Sequence, residues 1–252
     1  RTARARGGVE YEWLPEHRFF DALRVSAYAQ NAKSRQTAFE DRNTAADRLR
    51  VNRYEEDLLG ASAVLEAAPR ADLKLVAGAD LSRSEITNLR DGYTSAAGET
   101  FPTKAFPDTD YTLYGLFAQA EWRVGALTLI PGLRYDAFEL DPDTGDALYP
   151  GAAPAKLSDG AFSPKLGAIW ALAPGWQAVA QYAHGFKAPL PDQVNNGFVN
   201  AVQGYQAISN PDLEPETSKG VELGLRHIAG PLRASATVFE NRYKNFIEQI
   251  IV

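Results

Sequence analysis

The sequence predicts an all-β fold: an antiparallel transmembrane β-barrel wall of about ten hairpin-connected strands. Three observations carry that prediction. Apolar residues recur with period two over unusually long segments, the connections alternate between short and long, and every tryptophan falls at one level of the strands.

The alternation is clearest from Leu73, where Leu73, Leu75, Ala77, Ala79 and Leu81 oppose Lys74, Val76, Gly78, Asp80 and Ser82. Successive side chains of a strand point to opposite faces, so this is a strand with one greasy face. Next, Tyr114, Leu116, Ala118, Ala120 and Trp122 oppose Gln119, Glu121 and Arg123, while Leu127, Leu129, Leu133 and Tyr135 oppose Thr128, Gly132, Arg134 and Asp136. Val221, Leu223 and Leu225 repeat the pattern against Gly220, Glu222, Gly224 and Arg226. Several runs are about twice the ~5–6 residues of an ordinary globular strand. The inward Glu121, Asp136 and Glu222 are expected to line a lumen and pair across strands with Arg123, Arg134 and Arg226.

Short links are expected at residues 14–18, 67–71, 124–126, 173–175 and 229–231. Long links, rich in Gly, Pro, Asp, Asn and Thr, are expected at about 32–50, 87–109, 141–160 and 187–215. Every tight turn then lies on one side of the wall and every long loop on the other, as in outer-membrane barrels with short inner turns and long outer loops. Trp13, Trp122, Trp170 and Trp176 sit beside short links in phase with the apolar face, whereas Tyr114, Tyr135 and Tyr182 share that phase nearer the long loops. Two aromatic belts bounding an aliphatic band suit a wall facing lipid, because indole and phenol rings settle at the headgroup level. A large soluble β-sandwich or barrel with tryptophans in its core is the competing fold.

Bulk composition narrows the functional classes. The 252 residues are 45% hydrophobic and 23% charged, a folded composition. A net charge of −6, with both signs interspersed, makes no basic patch, and no nucleic-acid partner is expected. The chain contains no cysteine, which excludes a disulfide frame and thiolate metal sites within it. It also lacks methionine and starts at Arg1 with no charged-then-apolar leader, so it reads as a processed piece or a fragment. Its longest apolar run, Leu166 to Ala173, is far below the ~18 residues a membrane helix needs. No phosphate loop, serine elbow or paired-histidine motif occurs, so an enzyme is not expected. Asp141, Asp143, Gly145 and Asp146 look like part of a calcium loop, but Ala152 stands where the twelfth-position acid belongs, leaving an outer-loop turn.

Two short boxes go further. Gly185-Phe186-Lys187-Ala188-Pro189 and Asn210-Pro211-Asp212-Leu213 enclose a polar, glycine-containing segment with a single tyrosine, Tyr205. In these boxes the sequence resembles the TonB-dependent outer-membrane receptors, whose heme-uptake members carry a Phe-Arg-Ala-Pro box and an Asn-Pro-Asn/Asp-Leu box around one extracellular loop. The likeness continues through Leu129–Asp136, Phe162–Lys165 and Tyr243–Ile247, while residues 1 to 110 match in pattern alone. Gln193–Phe198 and Gly204-Tyr205 look most like the heme, hemoglobin and transferrin branch. Lys187 departs from the usual arginine, keeping the charge and losing the planar fork, and no histidine stands between the boxes.

The resemblance implies a barrel of ~22 strands with an N-terminal plug that this chain lacks, so its ten strands should leave two open sheet edges. It implies an active-transport receptor whose outer loops bind heme or a heme protein, in contact with outer-membrane lipid and powered by the TonB complex through the plug. A ferric-siderophore receptor of the same superfamily, a passive porin-like channel and a soluble β-rich binding domain remain open alternatives. For heme as transported ligand, the iron needs an axial donor, and methionine and cysteine are absent. His17 and His227 fall at the short-link side, and His184 shares the outward phase of Trp176, Ala178, Ala180 and Tyr182. Receptors of this type without a loop histidine are expected to use tyrosine, which selects Tyr205 as iron ligand ahead of His184, with Phe198 stacking on the porphyrin. Phe186 to Pro189 and Asn210 to Leu213 would frame the loop rather than touch cargo: prolines stiffen the descent, and Asn210 and Asp212 favour turns.

Overall fold

A computed structural model describes residues 1–16, 19–95, 100–151, 153–197, 199–200, 205–207, 210 and 212–248, with backbone alone at 199–200 and 205–206. The chain rises and falls through β1 (Thr2–Trp13), β2 (Ala22–Glu40), β3 (Arg48–Arg70), β4 (Leu73–Tyr93), β5 (Thr109–Val124), β6 (Leu127–Pro142), β7 (Leu157–Ala173) and β8 (Trp176–Lys187). The connection that follows holds α1 (Pro191–Val194), β9 (Val199–Asn200) and β10 (Tyr205–Gln206), after which β11 (Glu216–Ala229) and β12 (Leu232–Lys244) complete the wall. Ten strands make one sheet in the order β1-β2-β3-β4-β5-β6-β7-β8-β11-β12, and β9 pairs with β10 in a separate ribbon. All neighbours are antiparallel. Among the described residues β1 pairs with β2 alone and β12 with β11 alone, so both edges of the sheet are open, as expected.

The register confirms the phase of the pattern. Leu73↔Trp122, Leu75↔Ala120, Ala77↔Ala118, Ala79↔Leu116 and Leu81↔Tyr114 face one another across β4 and β5, and Leu116↔Tyr135 and Tyr135↔Phe162 carry the same face onward. Directly opposed side chains share a face, so the apolar phases of adjacent strands merge into one surface. From Leu73 to Leu81 that surface runs about 26 Å along β4 at ~3.3 Å per residue, or roughly 20 Å of membrane thickness at a ~40° tilt, close to the ~25 Å band of such walls. Trp13, Trp122, Trp170 and Trp176 are 39%, 43%, 55% and 41% exposed on it. A soluble fold would shut four tryptophans into a core; here they stand on the outside, at the short-turn level, where lipid headgroups meet them.

From β3 onward the connections match the expected alternation, but the extents differ: the inner link expected at 14–18 spans 14–21, and the outer links expected at 87–109 and 141–160 span 94–108 and 143–156. The link expected at 32–50 is confined to residues 41–47, because β2 and β3 stay paired as far as Glu40↔Arg48. Beyond the membrane band both faces of a hairpin are wet, so strands continue without an apolar phase, held by ladder bonds and cross-strand charges. Lys33 pairs with Glu55, Arg48 with Glu40 at 3.2 Å and Arg53 with Asp91 at 3.9 Å.

On the opposite face the ion pairs differ from expectation. Arg134 bonds Asp136 two residues along its own strand at 2.6 Å, and Arg123 approaches Glu121 at 3.9 Å in the same manner. No ion pair links Glu222 to Arg226 among the described residues. The residues directly opposite Arg134 are Phe117 and Ser163, which carry no charge, so its long guanidinium reaches along the pleat to Asp136 instead. Arg134 also crosses β5 to grip both oxygens of Asp80 on β4 at 2.9 and 3.0 Å. Gly115 makes that crossing possible: a Cβ there would collide with the Arg134 guanidinium and lie 3.0 Å from Asp80 Oδ2.

The buried core lies at the outer end of the wall. Ile86, Phe106, Tyr111, Phe138, Leu140, Ala188 and Val194 form one cluster, with Phe186 and Leu213 packed against it. Tyr111, Phe138 and Leu140 occupy the inward phase of β5 and β6. The long connection after β8 therefore folds against the inner face of the wall at its outer rim.

Candidate functional site

Three long outer loops meet at this rim: residues 94–108, 143–156 and 188–215. The first two are tied by Lys104. Its ammonium contacts Asp108 Oδ2 and Asp146 Oδ2, each at 2.7 Å, and its backbone N–H donates to Leu148 O at 2.9 Å. Asp146 also accepts backbone N–H bonds from Asp108 and Leu148. Burial pushes the Asp146 carboxyl up, but the Lys104 bond and these two N–H donors outweigh it and hold the acid below its usual range. Burial likewise pulls Lys104 down, while its bonds to Asp108 and Asp146 prevail and raise it. Asp143 Oδ1 accepts the Gly145 N–H at 2.8 Å, so this acidic run is an outer-loop turn whose oxygens serve protein donors.

The third loop leaves β8 through the first box. Phe186 lies with its ring 6.4 Å from that of Phe138, and Lys187 pairs with Glu216 at 3.1 Å directly across the strand pair. Ala188 is buried in the cluster, and the buried Pro189 carbonyl accepts the Tyr111 hydroxyl at 3.1 Å. Pro191 then starts α1, where its preset φ and missing N–H cost nothing. Gln193 Oε1 reaches back to accept the Leu190 N–H at 2.9 Å, closing the first turn. That single turn drives Val194 into the cluster at 0% exposure and sets Asn195, also at 0%, beneath the loop from β6. Asn195 Oδ1 accepts the Ala155 N–H at 2.8 Å, and its Nδ2 donates to Ala155 O at 2.9 Å. Gly197 N–H donates to Ala105 O at 2.8 Å, and its α-carbon lies so close to Tyr149 and Gly151 that a Cβ would overlap both.

The second box returns to the same place. Asn210 N–H donates to Val194 O at 3.1 Å, closing a neck between the outgoing and incoming chain. Asn210 Oδ1 accepts the Asp212 N–H at 3.1 Å, and Leu213 packs on the buried cluster. The segment after β12 joins in, with Asn245 Nδ2 donating to Glu214 at 2.7 Å and Ile247 N–H to Glu216 at 3.0 Å. Beyond the neck, Tyr205↔Asn200 and Gln206↔Val199 pair in the small ribbon.

The structure thus gathers the framing residues Phe186, Lys187, Ala188, Pro189, Asn210 and Leu213 into one neck, with Asp212 exposed beside it. Tyr205 has its backbone on the ribbon past the neck. Phe198, Pro211 and His17 lie outside the described residues. His184 stands apart, on the outward phase opposite Lys219, with Nε2 2.5 Å from the Tyr182 hydroxyl. His227 packs against Trp176 at the short-turn end, with ring centroids 4.3 Å apart and planes tilted by 36°. Sequence reasoning missed Asn195, Val194, Tyr111 and Lys104 as parts of the junction. The Pro191–Gln193 start signal was readable; the partners across loops were not.

The chain is 37% identical over 90 residues to an iron-regulated outer membrane virulence protein of Vibrio cholerae, covering 35% of this chain and 14% of that protein. Over 69 residues it is 38% identical to hemoglobin and hemoglobin-haptoglobin-binding protein A of Haemophilus influenzae, covering 27% of this chain and 6% of that one. Among solved structures, the hemophore receptor HasR of Serratia marcescens superposes with a TM-score of 0.74 at 17% identity, covering 97% of this chain and 40% of that chain. The copper transporter OprC gives 0.73 at 21% identity, covering 96% and 39%. Near-equal scores for proteins named for different cargoes mean that the likeness speaks for the fold alone. The chain spans a small part of the curated relatives and about two-fifths of the solved ones. With the alternating wall, the open edges and the looped outer rim already in place, the match of residues 1–252 to the model for the TonB dependent receptor-like β-barrel identifies this chain as a member of that family, a piece of a bacterial outer-membrane barrel.

Proposed function

We propose that this chain forms wall and outer rim of a receptor that takes heme, free or from a heme protein, across the outer membrane with TonB-supplied energy. The carrying observation is the neck: both sequence boxes converge on Val194 and present the ribbon bearing Tyr205 beyond it. In this reading the boxes are scaffold, Tyr205 supplies a phenolate to Fe(III), and Phe198 stacks on the macrocycle. A phenolate is a hard anionic donor, and coordination to iron lowers its pKa from ~10. His184, bonded to Tyr182 on the lipid side, ranks behind Tyr205. The similarity to a hemoglobin-binding relative supports the heme reading, while the iron-regulated relative leaves a ferric siderophore as the second reading.

The test is growth of an iron-starved outer-membrane mutant complemented with the whole receptor. Growth on heme, abolished when the inner-membrane potential is dissipated, is expected. Growth on a ferric siderophore and not on heme moves the receptor to the second reading. Uptake that survives dissipation contradicts active transport and points to a passive channel.

A further inference from the structure

Asn195 makes a two-way side-chain clasp between two of the outer loops. Its carboxamide uses one donor and one acceptor on the two backbone groups of a single residue, Ala155, and the side chain is fully buried. Val194, its neighbour, both fills the apolar cluster and accepts the Asn210 N–H that shuts the neck. Gly197, two residues beyond Asn195, is bonded to Ala105 in the first loop, 94–108. The ribbon therefore departs from a base fixed to both neighbouring loops within a span of four residues, 194–197, and the buried Asn195 carboxamide makes both of its bonds across to the loop from β6.

We infer that Asn195 is a positioning residue, which fixes the direction in which the Tyr205 ribbon projects over the mouth of the barrel. Its consequence for cargo rests on the heme reading above; its consequence for loop geometry does not. The clasp is specific to the carboxamide. Asn195→Asp keeps the acceptor for the Ala155 N–H but sets a carboxylate oxygen against the Ala155 carbonyl, and Asn195→Ala leaves both backbone groups without their partner.

The experiment places spin labels at Thr144→Cys and Gln206→Cys in the whole receptor, this chain having no cysteine of its own. Pulsed dipolar spectroscopy then reads the distance between the β6–β7 loop and the ribbon. A narrow distribution is expected in the parent, a broad one in Asn195→Ala and an intermediate one in Asn195→Asp, with the heat-modifiable gel mobility of the barrel unchanged. Ferric-heme affinity should fall about tenfold in Asn195→Ala, as the loss of two buried bonds implies. A parent distribution as broad as that of the variants, or variants as narrow as the parent, overturns the inference. If the parent binds no ferric heme, the heme reading falls and the distance distributions still decide the role of Asn195.

Discussion

Below the level of Leu81 and Tyr114 the sheet leaves its leucines and tryptophans on the outside, and its polar contacts lie on the inner face, with Arg134 reaching over Gly115 to Asp80. Above that level the arrangement inverts. Phe138, Leu140 and Val194 are at 0% exposure, while charges such as Lys33, Glu55 and Arg53 decorate the outside of the extended hairpins. The wall is completed by lipid, so apolar exposure there is a requirement and a buried core is unnecessary. The rim stands in water and has to build a core of its own, which it does by folding three loops onto the inner face of the strands. Position in the wall should therefore decide what a mutation does.

The largest effect is expected from a charge on the lipid face. Ala118→Arg, at mid-band beside Ala77 and Leu133, should weaken the inserted barrel by about 2–4 kcal/mol, whereas Gln119→Arg on the inner phase should cost little. Urea unfolding in lipid vesicles measures both, and equal losses would erase the distinction between the faces. A smaller, local effect is expected at the rim. Val194→Ala removes two buried methyl groups and should loosen the junction by about 2 kcal/mol while leaving barrel unfolding unchanged. Protease cutting within 188–215, compared with heat-modifiable mobility, separates the two regions.

The smallest effect is the pH response of the Lys104–Asp146 pair. The folded state holds Asp146 below its ordinary value, so its stabilisation is present above the unfolded carboxylate pKa of ~3.9 and is lost as pH falls through the lowered value. Lys104 is raised, so its share is present below the unfolded ~10.4 and is lost as pH rises through the raised value. Protease access to 143–156 should stay flat between those limits and increase beyond each. Asp146→Asn should abolish the acid limb; an unchanged limb would assign it to another group.

The same contrast explains what could be read without coordinates. A strand in the membrane band writes its orientation into residues two apart, so Leu73–Leu81 and Tyr114–Trp122 were legible with their phase and their short turns. Where water wets both faces the constraint vanishes, which is why residues 32–40 looked like loop and are strand. The rim depends on partners far apart in sequence: Asn195 and Ala155 are 40 residues apart, Tyr111 and Pro189 are 78. No local period encodes such pairs. The two boxes marked the neck because prolines and turn-forming Asn and Asp announce it locally, while the two-residue strands of the ribbon are too short to leave a pattern.

In the proposed heme reading, the segment held by the neck binds heme through Tyr205. Titrating ferric heme into the whole receptor and its Tyr205→Phe variant tests it most directly. The account predicts saturable binding with a phenolate-to-iron charge-transfer band in the parent, and loss of that band with weaker binding in the variant. Identical spectra and affinities in the two proteins, or no binding by the parent, would contradict it.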